Sequence, residues 1–363
     1  LPTGTVGTGL EHTDSFSIIA GSQLLRDSES YRGKFLPIVA HEFFHAWNVK
    51  WIRPKELTSY DYSREQHTKL LWAAEGFTTY YSALILKRAG LISEKEFLKW
   101  LSDRIGSLER SWGRAFRSAE EASWDAWTPG ENPGSRLSYY IKGCLLGLLL
   151  DLKIRHSTLD RKSLDDVIRL LGERFAKRND GFTTEDLEAL VLETGGESLS
   201  GFFDDYVRGV KELPLSNALS HAGLLLSGKP PRKDSPSLDV SLGDASGFPE
   251  VREIPPGSLA QQGGLDSGDV IIAVEGRRVT LSTLPEILSD YRIGDQVRIT
   301  FFRREELRET RVTLTANQSR EFEIKPVESP GQLEKRIYCS WLREEHFPDQ
   351  KEKKEERDSL EKP

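Results

Sequence analysis

The chain has 363 residues, 29% of them charged, and a formal net charge of −7. That length suits about two domains, each with its own core, and the charge excludes the basic footprint of a nucleic-acid binder. The longest apolar run, Cys144 to Leu150 with its neighbours, is far shorter than the roughly 20 residues of a bilayer span, so no membrane span and a soluble protein are expected.

In chain order, residues 1–20 contain an extended stretch, with Gly4, Gly7 and Gly9 ahead of Phe16-Ser17-Ile18-Ile19. Glu11 falls on or beside it; taken alone, it is a surface glutamate in a glycine-rich loop. No Met occurs and the first residue is Leu, as expected of a fragment. Residues 35–50 read as a helix with Pro37 in its first turn. Within it, His41-Glu42-Phe43-Phe44-His45 puts two imidazoles one turn apart on one face, where they can converge on a zinc ion. Glu42, beside that face, could accept a proton from a water that zinc acidifies from a pKa of about 15.7 toward about 7. The competing possibility is two ordinary helix histidines and a surface glutamate. The rarity of HExxH and its apolar setting, Phe35 to Ala40, argue against that.

A zinc site that does chemistry needs a third protein ligand and an open fourth position. Glu75 is the candidate. It lies in the apolar helical run Leu70 to Tyr81, whose helix extends to a C-cap near Gly90, and a carboxylate in such a stretch needs a partner. Ser93-Glu94-Lys95-Glu96 reads as a capping box for the next helix. Residues 111–135 look irregular, and Trp112, Trp124 and Trp127 either wall a cleft over the metal or anchor a core. The helix near 136–156 carries Tyr139 and Tyr140, both possible donors to an oxyanion. Further helices start at Ser163 and Thr183, another spans 199–210, and the helical part ends near 225. His156 and His221 are lone histidines, expected in core or solvent. Cys144 and Cys339 fit no metal spacing and are read as free thiols.

Residues 228–237 are a proline-rich linker. The period then changes to short strands at 251–254, 270–274, 297–302 and 310–314 around a helical stretch at 281–291. A last helix is expected at 332–342, followed by a solvated charged tail at 350–363.

Several blocks carry a joint resemblance: HEFFHAWNVK (41–50), Ile52-Arg53-Pro54, WAAEGFTTYY (72–81), Gly9-Leu10-Glu11-His12 and Tyr140-Ile141-Lys142-Gly143. Together they resemble the glycyl aminopeptidase family of gluzincin metallopeptidases. The resemblance implies a multidomain α+β protein with an α-rich, thermolysin-like catalytic domain and one zinc per chain, held by His41, His45 and Glu75. It makes Glu42 the general base, Tyr140 rather than Tyr139 the oxyanion donor, and Glu11 the group that binds the free amino terminus of peptides and proteins. It also implies a preference for Gly or Ala as the first residue. Trp51 departs from the family pattern, which has a basic residue there, and this bears on substrate preference. The family carries a β-rich domain ahead of the Glu11 strand, and nothing here corresponds to it. The compartment is therefore not legible from this terminus, with bacterial cytoplasm and periplasm the two expectations.

Pro256-Gly257-Ser258-Leu259-Ala260, Gly264-Leu265, Gly268-Asp269-Val270-Ile271 and Val274-Glu275-Gly276 resemble a small β-rich PDZ domain of bacterial type. Such domains take a peptide C-terminus by strand addition, here at a carboxylate loop near Ser241 to Asp244. The alternative is a rigid spacer. The expected organisation is a catalytic domain at 1–227, a linker at 228–237, a PDZ domain at 238–325, and a helix with charged tail at 326–363. The expected function is a zinc aminopeptidase. The alternatives are a PDZ-assisted zinc endopeptidase and a catalytically silent zinc/PDZ scaffold.

Overall fold

The computed structural model describes residues 7–59, 61–128, 137–178, 180–229, 235–316 and 320–348. It has a helical N-terminal region and a strand-rich C-terminal part. The chain opens with an antiparallel hairpin, β1 (Thr8–Glu11) and β2 (Phe16–Ile19), with Glu11 opposite Phe16. Next come α1 (Leu36–Phe44), α2 (Leu71–Arg88), α3 (Glu94–Arg110), α4 (Ala119–Trp124), α5 (Tyr139–Ser157), α6 (Leu164–Arg174), α7 (Thr184–Gly195) and α8 (Leu215–Ser220).

Local chemistry explains several helix ends. Ser93, Ser118, Ser163 and Thr183 each accept a backbone N–H while a carboxylate three residues on closes the capping box. Helix α2 stops at Ala89, and Gly90 follows with φ +71°, a left-handed turn that glycine adopts without strain. The 199–210 stretch is not one helix. Gly201 has φ +75°, and the chain breaks into a 3-10 turn (Glu197–Leu199) and a π turn (Phe203–Val207). Residues 111–135 hold more helix than their composition suggested: a 3-10 turn at Trp112–Ala115, then α4, then Asp125–Trp127, with 129–136 outside the described residues. Helices α2 and α5 form the centre of the molecule, burying Trp72, Phe77, Tyr80 and Leu84 against Leu145, Leu148, Leu149 and Leu152. Each such side chain contributes about 1.5–3 kcal/mol on leaving water.

The strand-rich part is an antiparallel sheet in the order β10 (Glu306–Thr313), β9 (Gln296–Arg303), β7 (Val270–Val274), β6 (Phe248–Glu253), β5 (Ser241–Ala245), with β8 (Arg277–Arg278) on β7. Short helices α9 (Leu259–Gln262) and α10 (Leu284–Leu288) pack on it around a separate core that includes Val251, Ile271, Val274, Ile299 and Val312. Ser241 to Asp244, the stretch expected to form a carboxylate loop, lies in the outermost strand β5, and Asp244 accepts the Gly247 N–H to close the β5–β6 turn.

The strand-rich part is bracketed by two small pairings. The chain leaves the helices along β3 (Leu224–Lys229) and returns along β12 (Glu321–Pro326), which pairs with it, while β4 (Pro236–Ser237) pairs with β11 (Thr315–Ala316). Of the proline-rich stretch, residues 230–234 lie outside the described residues, as does the charged tail at 350–363. A final helix, α11 (Gln332–Leu342), packs back on the helical core. Its Trp341 Nε1 donates to Tyr80 Oη at 2.7 Å, and Tyr80 donates to Asp151 at 2.7 Å.

Candidate metal centre

Helix α1 brings His41 and His45 to one face, and α2 brings Glu75 up to them. Glu75 Oε2 lies 3.2 Å from His41 Nε2 and 3.4 Å from His45 Nε2, and the two ring nitrogens are 3.1 Å apart. These three are one of two groups of metal-ligating side chains among the described residues; the other is Glu11, Glu42 and His45.

The turn after α1 orients His45. Its Nδ1 lies 2.8 Å from the Asn48 carbonyl. A carbonyl can only accept, so Nδ1 carries a proton and Nε2 is the nitrogen turned toward His41 and Glu75, donating to the Glu75 carboxylate when the ring is protonated and offering a lone pair to a metal when it is not. The Asn48 side chain in turn donates to the carbonyls of Ala73 (3.1 Å) and Ala74 (3.0 Å), fastening this turn to α2 beside Glu75. The sequence alone names no partner for the histidines, and Asn48 supplies it.

Charge in the cluster follows from this packing. Burial pushes the Glu75 carboxyl up, but hydrogen bonds from His41 and His45 outweigh it and hold the group down at about 2. Burial lowers His45, but Glu75 raises it further, for a net rise. Glu42 is driven upward chiefly by burial, against the pull of both histidines. Its Oε2 is buried and without a hydrogen-bond partner among the described residues. Strand β1 covers it closely: a Cβ on Gly9 would fall 2.3 Å from the Glu42 carboxyl, so a larger residue there would displace that carboxyl.

Tyr140 and Glu11 flank the cluster. The Tyr140 ring stacks on His41 with centroids 6.1 Å apart. Burial first, then the Glu75 charge, raises its pKa, so at neutral pH the phenol keeps its proton. Tyr139 stacks on Tyr140 at 4.9 Å. Glu11 Oε1 forms an ion pair at 3.0 Å with Lys50 Nζ. That lysine follows the Asn48 turn, two residues beyond it.

Gly76 and Gly143 sit inside the WAAEGFTTYY and Tyr140-Ile141-Lys142-Gly143 blocks with no role assigned from the sequence, and they set the α2–α5 distance beside Glu75 and Tyr140. A Cβ on Gly143 would fall 2.0 Å from the Trp72 carbonyl oxygen. Glycine inside a helix costs about 1 kcal/mol against alanine, which was the available signal that packing required it here.

Other expected residues lie elsewhere. Trp51 sits on α6, where a Cβ on Gly172 would meet its ring at 2.8 Å. Trp112, Trp124 and Trp127 are all exposed, so they are not core anchors. His156 and His221 are not lone: their rings stack 3.8 Å apart, away from the metal cluster, and burial followed by the His156 and Lys153 charges pulls His221 down to about 4. Cys144 and Cys339 are free thiols.

Residues 34–146 match the model of the M61 glycyl aminopeptidase family. The crystal structure of an aminopeptidase N family protein from Idiomarina loihiensis superposes with a TM-score of 0.78 and 28% identity over 92% of this chain and 60% of that one. The chain thus spans about three-fifths of that relative's length. A serine endoprotease from Yersinia pestis (16% identity, 23% of this chain and 30% of that one) and an HtrA-type protease (15%, 27% and 31%) reach a TM-score of only 0.21, and nothing is built on them. No curated protein matches. The family match and the Idiomarina structure support a peptidase.

Proposed function

We propose that the chain is the catalytic part of a zinc-dependent aminopeptidase, with His41, His45 and Glu75 as the metal ligands. The observation that carries this reading is the spacing of the three donor atoms, 3.1 to 3.4 Å. Zinc bonds of about 2.0–2.1 Å at tetrahedral angles put donors about 3.3 Å apart. Two nitrogens and one carboxylate oxygen are also the donor set of a site that leaves one position open. Bound there, zinc would supply Lewis-acid polarisation of the scissile carbonyl and a water acidified to a pKa near 7.

The chain's own residues divide the remaining work. Glu42, with an unpartnered carboxyl oxygen and a raised pKa, takes the proton of the attacking water and passes it to the departing amine. Tyr140, kept protonated, donates to the developing oxyanion. Glu11 anchors the substrate's α-ammonium and so fixes which peptide bond meets the cluster. The anchor already bears the Lys50 ammonium, so amine binding is an exchange of one cation for another. A preference for Gly or Ala as first residue follows the family likeness. The strand-rich part, read as a PDZ domain, would take a peptide C-terminus along its edge strand β5.

The same Lys50–Glu11 pair favours a second reading. A carboxylate that is already neutralised does not penalise a blocked amino terminus, and the site would then act as an endopeptidase to which the PDZ module delivers protein tails. A matched peptide pair beginning Gly-Ala, free or acetylated, separates the two. Loss of the first residue from the free peptide only, dependent on zinc and abolished in Glu42→Gln, is the result expected. Internal cleavage of both peptides would establish the second reading, and no cleavage with zinc bound would overturn both.

A further inference from the structure

A cavity of about 960 Å3 opens where α2 and α5 begin, one helical turn before Glu75 and one residue before Tyr140, and has no role in the reaction as described. Leu57, Leu71, Trp127 and Tyr139 give it an apolar lining, and Asp61 and Glu65 stand in its wall. Its floor belongs to the same two helices that carry the chemistry. Leu71 precedes Glu75 by one turn on one face of α2, and Tyr139 stacks directly on Tyr140.

The walls are built. Trp127 Nε1 donates to the Gln66 carbonyl at 3.0 Å, and His67 Nδ1 donates to the Trp124 carbonyl at 2.9 Å. These bonds tie the 61–67 loop to the segment after α4. Asp61 braces the loop by accepting from Ser63 N and Oγ, and it pairs with Arg64 at 2.9 Å. The volume is at the upper end of the ~300–1,000 Å3 of ligand pockets, far more than a glycine or alanine needs. The cavity is lined from α2, α5 and the loops beside them, and among the described residues its lining includes none from β1 or α1, the elements that carry Glu11, Glu42 and His41. Leu71 and Tyr139 are the lining residues on the same helices as Glu75 and Tyr140, so a peptide at the cluster has this cavity beside the start of α2 and α5.

We propose that this cavity receives the residue that follows the scissile bond, and that Trp127 and Leu71 select a large apolar or aromatic side chain there. The inference rests on the peptidase reading above and adds a specificity to it. Trp127 is 53% exposed, so its truncation opens no hole in a core.

The test is a series Gly-Xaa-Ala-Ala, with Xaa as Gly, Leu or Phe, on the wild type, Trp127→Ala and Trp127→Phe. Wild type is expected to favour Phe over Gly by ~10-fold or more in kcat/KM. Trp127→Ala loses that preference with Gly-Gly-Ala-Ala unaffected, and Trp127→Phe keeps most of it. A second readout needs no turnover: calorimetric binding of Phe-Ala-Ala and Gly-Ala-Ala, the released products, to the Glu42→Gln chain with and without Trp127→Ala. A Trp127-dependent affinity ratio without cleavage in the first assay supports the cavity and counts against the peptidase reading alone. Equal affinities of the two products for the Glu42→Gln chain, a Phe preference that survives Trp127→Ala, or a change in first-residue preference instead would each overturn the proposal.

Discussion

Replacing Gly76 by alanine drives a methyl group into the α2–α5 crossing. The new Cβ would lie 2.4 Å from the Cα and carbonyl carbon of Gly143 and 2.8 Å from Cys144 N. Carbon atoms in ordinary contact are about 3.5–4.0 Å apart, and these are backbone atoms that have no rotamer to swing away. The helices must therefore part by ~1 Å. Glu75 is the preceding residue, and Tyr140 lies one turn ahead of Gly143, so the ligand and the oxyanion donor move relative to each other. Overpacking of this kind costs ~1–3 kcal/mol of stability, and a ~1 Å misplacement of reacting groups costs ~100-fold in rate. Urea unfolding together with kcat/KM on a free-amine peptide reads both. Unchanged stability would refute the close approach, and lost stability with full activity would refute its link to the geometry of Glu75 and Tyr140.

Three further outcomes follow from individual contacts. Tyr140→Phe should lower kcat by ~10²–10³ while Tyr139→Phe leaves it near wild type; the reverse order would move the oxyanion role to Tyr139. Lys50→Met removes the competing cation from Glu11, and a pair of this kind is worth ~1 kcal/mol, so KM for a free-amine peptide should fall about fivefold; a raised KM would sink the exchange. Glu253 has a buried, unpartnered carboxyl oxygen among the described residues, and burial pushes the group up to about 7 against a Trp112 backbone hydrogen bond. The folded chain thus keeps a proton that the unfolded chain releases near 4.5, so that contribution to stability is present at low pH and lost as pH rises through about 7. Glu253→Gln should raise the melting temperature at pH 8 and not at pH 5; equal effects at both would contradict the assignment.

The cluster was legible in the sequence because its parts obey short-range rules. His41 and His45 share a helix face by spacing alone, and Glu75 stands out as a carboxylate in an apolar helix. The capping boxes at Ser93, Ser163 and Thr183 are equally local. What escaped depends on contacts between distant segments. The hold of Asn48 on the Ala73 and Ala74 carbonyls joins two elements that no periodicity links. The glycines at the α2–α5 crossing are defined by what a methyl group would strike. The 199–210 stretch has a helical apolar pattern, but one left-handed glycine at 201 breaks it. Likewise, His156 and His221 look solitary in the sequence and stack in the fold.

The most direct test of the central claim is metal content, measured by elemental analysis after dialysis against zinc, on the wild type, Glu42→Gln, His45→Ala and Glu75→Ala, each with its peptide cleavage rate. The account predicts one zinc per chain in the wild type and in Glu42→Gln, with cleavage only in the wild type, and loss of both zinc and cleavage in the two ligand variants. Zinc retained at full occupancy in His45→Ala and Glu75→Ala, or cleavage surviving in Glu42→Gln, would contradict it.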